Sequence, residues 1–319
     1  MIAFGPVPSR RLGRSLGVNN VPFKTCTFSC VYCQVGRTRA TVIERLKFFE
    51  PAEVLDVVRK RIADTERTGE PPIDFITFVS DGEPTLDVNL GREIDLLKPL
   101  GIKIAVITNS SVIWRDDVRE DLMKADWVSL KIDSIGEDVW RRIDRPDKRL
   151  RLQAILEGML VFAQAFKGVL TTETMLVKGM NDNEQNMKEI SGFVSRLNPS
   201  RAYLSVPTRP PSEEWVEPPD EQTINKCFQV FSGKFPNVEY LIGYEGDAFA
   251  FSGDAEEDIL GITAVHPMRE DAVRSLLAKA GVGWSVIETM IRQGKLAETR
   301  YSGEKFYLRK PVKTGGEKR

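Results

Sequence analysis

Short apolar runs and longer amphipathic stretches alternate along the first two thirds of the chain. Between positions 50 and 67, Val54, Leu55, Val57, Val58 and Ile62 recur at helical spacing, with Pro51 suited to a first turn and Gly69 to a stop. After Pro71-Pro72, positions 73–79 are β-branched, aromatic and mostly apolar, the pattern of a strand covered on both faces. The pair then repeats. Helices are expected near 90–97, 116–124, 151–166 and 184–197, each followed by a strand, at 102–108, 127–132, 171–177 and 202–206. With an earlier strand over 15–22, this makes six strand–helix steps. Such alternation argues for a parallel α/β sheet, and six units are too few for a closed eight-stranded barrel. In such folds ligands gather at the C-terminal ends of the strands.

The ends of the chain break this rhythm. Positions 4–11 are Pro-rich and basic, which predicts an extended arm and not a helix. Arg10, Arg11 and Arg14 either line the mouth of a site or are solvated cations on that arm. Proline-rich loops over 207–219 lead to a helix at 221–231, with Cys227 among Ile224, Phe228 and Phe231, and a further strand within 236–243. Cys227 reads as a buried free cysteine. From about 256 the pattern changes to helices at 269–280 and 284–293 and two short strands around Ser302-Gly303-Glu304, the outline of a winged helix.

Composition changes this picture little. The chain has 319 residues, 41% hydrophobic and 29% charged, enough for one large domain and a small one. No apolar run approaches a membrane span, the N-terminus lacks the layout of a signal peptide, and four cysteines make no disulfide framework, so a soluble, cytoplasmic chain is expected. Net charge is −1, but from Pro267 onward there are 12 Lys and Arg against 6 Asp and Glu, a local excess that hints at a polyanion on the tail. The single histidine, His266, leaves no Ser/His/Asp triad and reads as structural.

The chemistry concentrates in Thr25-Cys26-Thr27-Phe28-Ser29-Cys30-Val31-Tyr32-Cys33-Gln34, where three cysteines stand as C-x3-C-x2-C. Three thiolates on one loop can face a single centre, whereas structural zinc or a closed cubane takes four protein ligands. Read as residues alone, a partial zinc site and a chance cluster of buried cysteines stay open. Ser80-Asp81-Gly82-Glu83-Pro84-Thr85 follows one strand, Thr108-Asn109-Ser110-Ser111 ends the next, and Ser129-Leu130-Lys131-Ile132-Asp133 the one after. Period-2 alternation puts Ser129, Lys131 and Asp133 on one face, towards the barrel interior.

The cysteine spacing, with Tyr32 directly before the last cysteine, resembles the signature of the radical S-adenosylmethionine (SAM) superfamily. The resemblance implies an open (βα)6 partial TIM barrel with a small C-terminal winged-helix-like domain. It implies a core over 1–235 with the cluster loop at 25–34, a connecting segment at 236–257, the small domain at 258–311 and a disordered tail at 312–319. It further implies that Cys26, Cys30 and Cys33 bind a [4Fe-4S] cluster whose fourth iron chelates SAM, and that the reduced cluster cleaves SAM to methionine and a 5′-deoxyadenosyl radical. Gly82, Glu83 and Pro84 match the family's GGEP motif, with Asp81 where the first glycine is usual, and Thr108, Asn109, Ser129 and Lys131 take the positions that bind SAM's ribose and carboxylate. Tyr32 joins the same cofactor set. The turn 177–183 resembles the adenine-contacting strand, with a helix cap at Asn183.

The barrel resembles the branch that includes the wyosine-forming tRNA enzymes, but no cysteine precedes Cys26 to build their second cluster. Three readings result. The first is radical modification of an unidentified substrate, with tRNA held by the basic tail. The second is a protein-directed enzyme, a glycyl-radical activase or peptide modifier. The third is a non-catalytic winged-helix sensor, which would need no SAM pocket. The enzyme readings imply an electron donor such as flavodoxin or ferredoxin.

Overall fold

The computed structural model describes residues 1–243, 246 and 248–310; the tail expected at 312–319 lies outside the described residues. The strands are β1 (Ala3–Ser9), β2 (Gly13–Val18), β3 (Phe75–Phe78), β4 (Lys103–Thr108), β5 (Trp127–Lys131), β6 (Val169–Met175), β7 (Arg201–Ser205), β8 (Val238–Leu241), β9 (Met268–Arg269), β10 (Leu296–Tyr301) and β11 (Glu304–Arg309). The helices are α1 (Pro51–Arg67), α2 (Leu90–Leu97), α3 (Asp116–Leu122), α4 (Glu137–Ile143), α5 (Leu152–Ala165), α6 (Glu184–Leu197), α7 (Glu221–Ser232), α8 (Ala255–Val265), α9 (Glu270–Ala280) and α10 (Ser285–Arg292). Strands β1 to β8 form one sheet in sequence order, parallel from β2 to β8. Sheet edges β1 and β8 do not pair, so the sheet is an open, curled half-barrel.

Alternation along the strands sorts the two faces. Ile104 and Val106 of β4 pack with the helices in the main core, whereas Ala105 and Ile107 join Leu12, Phe75, Trp127, Tyr203 and Leu241 inside the barrel. Helix α1 illustrates the outer layer. Pro51 opens it, Val54, Val58, Arg61 and Thr65 form its buried face, and Gly69 follows in the left-handed region at φ 72°.

Two expectations change. The expected arm is strand β1, which pairs antiparallel with β2. Its prolines are tolerated because β1 is an edge strand. Helix α8 was not expected, because its apolar residues occupy most of its faces and Gly261 interrupts it. That glycine lies where α8 passes β1: a Cβ there would stand 3.3 Å from Phe4 Cβ and would displace the flexible Met1 side chain.

The C-terminal part is a separate small unit of helices with a three-stranded antiparallel sheet in the order β10-β11-β9. Its apolar core includes Phe4 and Val7 of β1. Buried Arg61 of α1 also donates from Nη1 to Asp258 Oδ1 of α8 at 2.6 Å.

Candidate active site

Residues 19–50, between β2 and α1, contain no helix or strand. A loop of this length inside a compact sheet is uncommon unless it carries function. Backbone hydrogen bonds from several sources fix it. Glu83 N donates to Thr25 O at 2.8 Å, Lys24 N to Asp81 O at 2.9 Å, Asp147 N to Thr27 O at 2.9 Å and Val31 N to Ile143 O at 2.9 Å. Side chains add to this: Asn109 Nδ2 donates to Thr27 Oγ1 at 2.8 Å, and Ser212 Oγ to Cys30 O at 2.9 Å. The loop that follows β3, the end of β4 and the end of α4 thus all hold the cysteine segment.

Cys26, Cys30 and Cys33 are free, half-buried, and line one cavity of about 320 Å³. Burial pushes the Cys26 thiol up to about 12 and the Cys30 thiol well above its ordinary value. The Lys24 ammonium lies 3.3 Å from Cys33 Sγ and donates to Gly36 O at 2.5 Å. Among the described residues, no three His, Cys, Asp or Glu side chains converge on a point that would hold a single metal ion. Structural zinc takes four protein ligands, whereas three thiols on one loop suit a cluster that leaves one iron without a protein ligand.

The cavity brings together Tyr32, Gly82, Glu83, Thr108, Asn109, Ser129 and Lys131 with the three cysteines, but not Pro84. Pro84 opens a 3-10 turn behind the wall, where its carbonyl accepts from Asn20 Nδ2 at 3.2 Å. The buried Glu83 carboxylate accepts from Thr85 N (3.1 Å), Thr85 Oγ1 (2.6 Å), Thr108 Oγ1 (2.6 Å) and Asn109 N (2.8 Å). Glu83 therefore ties the turn to the end of β4, and burial raises its pKa. By contrast, the buried Ser129 hydroxyl has no hydrogen-bond partner among the described residues. An orphaned hydroxyl in a cavity wall suits a polar ligand.

Gly82 has a packing reason. A Cβ built on it would stand 2.2 Å from Thr25 O and 2.9 Å from Val21 Cγ2, so only glycine lets the turn press against the cysteine loop. A Gly82→Ala variant is expected to push the loop away. Iron content after anaerobic reconstitution should fall well below wild type while the far-ultraviolet circular dichroism stays unchanged. Wild-type iron loading in the variant would contradict this role.

Tyr32 Oη donates to Asp133 and lies 3.2 Å from Asp144 Oδ1. Its ring sits under the Lys131 ammonium, 5.1 Å from the centroid. Burial raises the Tyr32 pKa well above its ordinary value, and burial beside Asp133 does the same for Asp144. Lys131 Nζ lies 3.0 Å from Glu173 Oε1 and 3.6 Å from Asp133 Oδ1. Glu173 also accepts from Arg11 and from Ser205 Oγ at 3.0 Å. Lys131, Arg11 and Ser205 together hold its carboxyl well below the ordinary range against the opposing effect of burial.

Sequence reasoning missed Glu173 and Ser205. The signal available was a lone glutamate inside an otherwise apolar and hydroxyl-bearing strand. Arg10 and Arg11 line the cavity, but Arg14 does not: it donates from Nε to Pro71 O at 3.1 Å and pairs with Glu70. Asn183 caps α6, accepting from Asn186 N at 3.0 Å. Cys227 is buried in α7 outside the cavity, its Sγ 3.4 Å from Asp182 O. His266 ends α8, with Nε2 2.8 Å from Arg209 Nη2, and burial pushes its pKa well below the ordinary value. Gln34, directly after Cys33, donates from Nε2 to Val265 O at 2.7 Å, so the small unit is bonded to the cysteine loop itself.

Comparison with known proteins agrees with this arrangement. The Radical SAM superfamily model matches residues 20–190. A UPF0026 protein of Methanocaldococcus jannaschii is 47% identical over 311 residues, spanning 97% of this chain and 96% of that protein. The structure of TYW1 with a lysine–pyruvate adduct bound aligns with a TM-score of 0.53 at 18% identity, over 70% of this chain and 74% of that one. Streptococcus suis SuiB bound to S-adenosylmethionine aligns at 0.53 and 12% identity, over 72% of this chain and 51% of that one. These two likenesses are of fold. With an open half-barrel, a three-cysteine loop at the C-terminal strand ends and a family match across more than half its length, the chain is an enzyme of the radical SAM superfamily.

Proposed function

We propose that the chain cleaves SAM reductively and uses the resulting radical to modify a polypeptide. One observation carries the reading: three free cysteines on one loop line the same cavity as the orphaned Ser129 hydroxyl. Cys26, Cys30 and Cys33 would hold a [4Fe-4S] cluster, and Gly82, Thr108, Asn109 and Ser129 would line the SAM site. When bound and reduced by one electron, that pair would supply radical chemistry: methionine and a 5′-deoxyadenosyl radical able to abstract a hydrogen atom. The chain's own share is positional. Glu83 fixes the wall behind the cofactor, and Tyr32 anchors the loop to Asp133 and Asp144. Electrons would come from a small donor such as flavodoxin or ferredoxin. Among the described residues no helix is long and apolar enough to cross a membrane.

The choice of polypeptide over tRNA rests on the C-terminal unit, whose element order suits a winged helix. Four of its cations are paired within the protein: Arg274 with Glu270 at 2.6 Å, Lys279 with Glu70 at 3.0 Å, Lys305 with Glu270 at 3.1 Å, and Lys295 with Glu256. Paired in this way, these four offer a phosphate backbone less than free cations would. Strand β10 is a sheet edge, to which an extended peptide can add. The test uses anaerobically reconstituted enzyme with SAM and dithionite, with either a ribonuclease-treated protein fraction or total RNA from the source organism. The protein fraction is expected to accelerate 5′-deoxyadenosine release. Acceleration by RNA alone, with a mass shift in a nucleoside, would return the tRNA reading.

A further inference from the structure

The wall of the cavity formed from the β1–β2 turn and the inner faces of β6 to β8 carries a second arrangement, distinct from the cysteine side. Arg10 donates from Nη1 to Ile242 O at 2.7 Å and from Nη2 to Gly243 O at 3.4 Å. Its guanidinium is thus oriented by neutral carbonyls, and among the described residues it has no carboxylate partner. Arg11 gives Nη1 to Glu173 and stands over the Tyr203 ring, 5.9 Å from the centroid. Its Nε is buried without an acceptor among the described residues. Glu173 is already shared with Lys131 and Ser205. Two carboxylates, Glu173 and Asp133, therefore stand among three cations along this wall.

A buried N–H without a partner opposes folding, whereas the exposed Arg10 guanidinium is solvated and able to take a counter-ion. A ligand anion would complete the set. The guanidinium fork matches a carboxylate or a phosphate oxygen pair. The remaining lining favours the first. Ile107, Met175, Val206 and Leu241 give the cavity apolar walls beside the arginines, which suit the methylene stem of an acidic side chain. The volume of about 320 Å³ is at the lower end of the roughly 300–1,000 Å³ usual for small-molecule sites, so a cofactor leaves room for little more than one side chain. A polynucleotide, in turn, needs a track of cations more than a pair inside a barrel.

We propose that Arg10 and Arg11 form an anion subsite that receives the carboxylate of an acidic residue on the polypeptide substrate. This inference rests on the enzyme reading above, and it makes the substrate an acidic segment whose glutamate or aspartate enters the half-barrel.

The test is ligand-observed NMR on the full-length protein with N-acetyl-glutamate methylamide, its glutamine counterpart and inorganic phosphate. The glutamate compound is expected to bind, the glutamine compound to bind at least roughly tenfold more weakly, and phosphate more weakly than the glutamate compound. Arg10→Gln and Arg11→Gln should each weaken binding of the glutamate compound by a similar factor. Arg10→Gln can still donate to Ile242 O, and Arg11→Lys, which keeps the charge next to Glu173 but loses the fork, should recover binding only in part. Equal binding of the two amides, tighter binding of phosphate, or wild-type affinity in both glutamine variants would overturn the proposal. Binding needs no SAM turnover. A wild-type enzyme that binds the glutamate compound selectively but never cleaves SAM would sink the function proposed above, while one that cleaves SAM without that selectivity would sink this subsite.

Discussion

Changing any one of Cys26, Cys30 or Cys33 to alanine is expected to reduce 5′-deoxyadenosine formation to background and to remove most of the protein's iron. The three thiols belong to one loop whose backbone is bonded to the turn after β3, the end of α4 and its own neighbours, so no other side chain can be moved in to replace a missing ligand. Cys227 lies buried in α7, outside the cavity, and cannot substitute. The matching control is Cys227→Ala, which should keep wild-type iron and SAM cleavage while losing a little stability from its packed site. Iron analysis and product chromatography on the four variants check this. Retained iron and activity in any of the first three would remove that cysteine from the site.

The second large effect is expected at Glu173. Its carboxylate, only 14% exposed, accepts from Lys131, Arg11 and Ser205. Glu173→Ala leaves two cations close together in the barrel without their shared counter-charge. Breaking a buried pair from one side costs about 3–5 kcal/mol, which lowers the melting temperature on the order of 10 °C in a chain of this size. Because the folded protein holds this carboxyl below its ordinary range, the contribution is present in full above the unfolded pKa and is lost as pH falls below it. The wild-type advantage over Glu173→Ala should therefore shrink on acidification. A variant with wild-type melting at neutral pH would mean that Lys131 and Arg11 are stabilised by other groups.

Much of this architecture was readable from residues alone, for reasons that differ by element. The parallel strands announce themselves because burial on both faces demands continuous β-branched and apolar residues; β3 to β5 form within the expected runs, and β6 and β7 overlap theirs but begin two residues and one residue earlier. The cysteine loop is equally visible, since its spacing is local. What the sequence hides is whatever depends on contacts between distant positions. Strand β1 reads as an arm because its prolines are acceptable only at a sheet edge, and edge position is a tertiary property. The reason for Gly82 lies in Thr25 O, and the partner of Glu173 is Arg11, at the other end of the barrel segment. Lys131 carries a sequence expectation of cofactor contact, yet its ammonium is also committed to Glu173 and Asp133, a competition no linear pattern reveals. Likewise the charge surplus of the C-terminal unit is plain in the composition, whereas the pairing of some of its cations with Glu70, Glu256 and Glu270 appears only in three dimensions.

The central claim is that three cysteines hold a cluster with one iron left for SAM. Electron paramagnetic resonance of the reconstituted, dithionite-reduced protein, recorded with and without SAM, tests it most directly. The expected result is the signal of a reduced four-iron cluster whose line shape changes when SAM is added, followed by accumulation of 5′-deoxyadenosine. A signal indifferent to SAM, with SAM recovered intact, would contradict it.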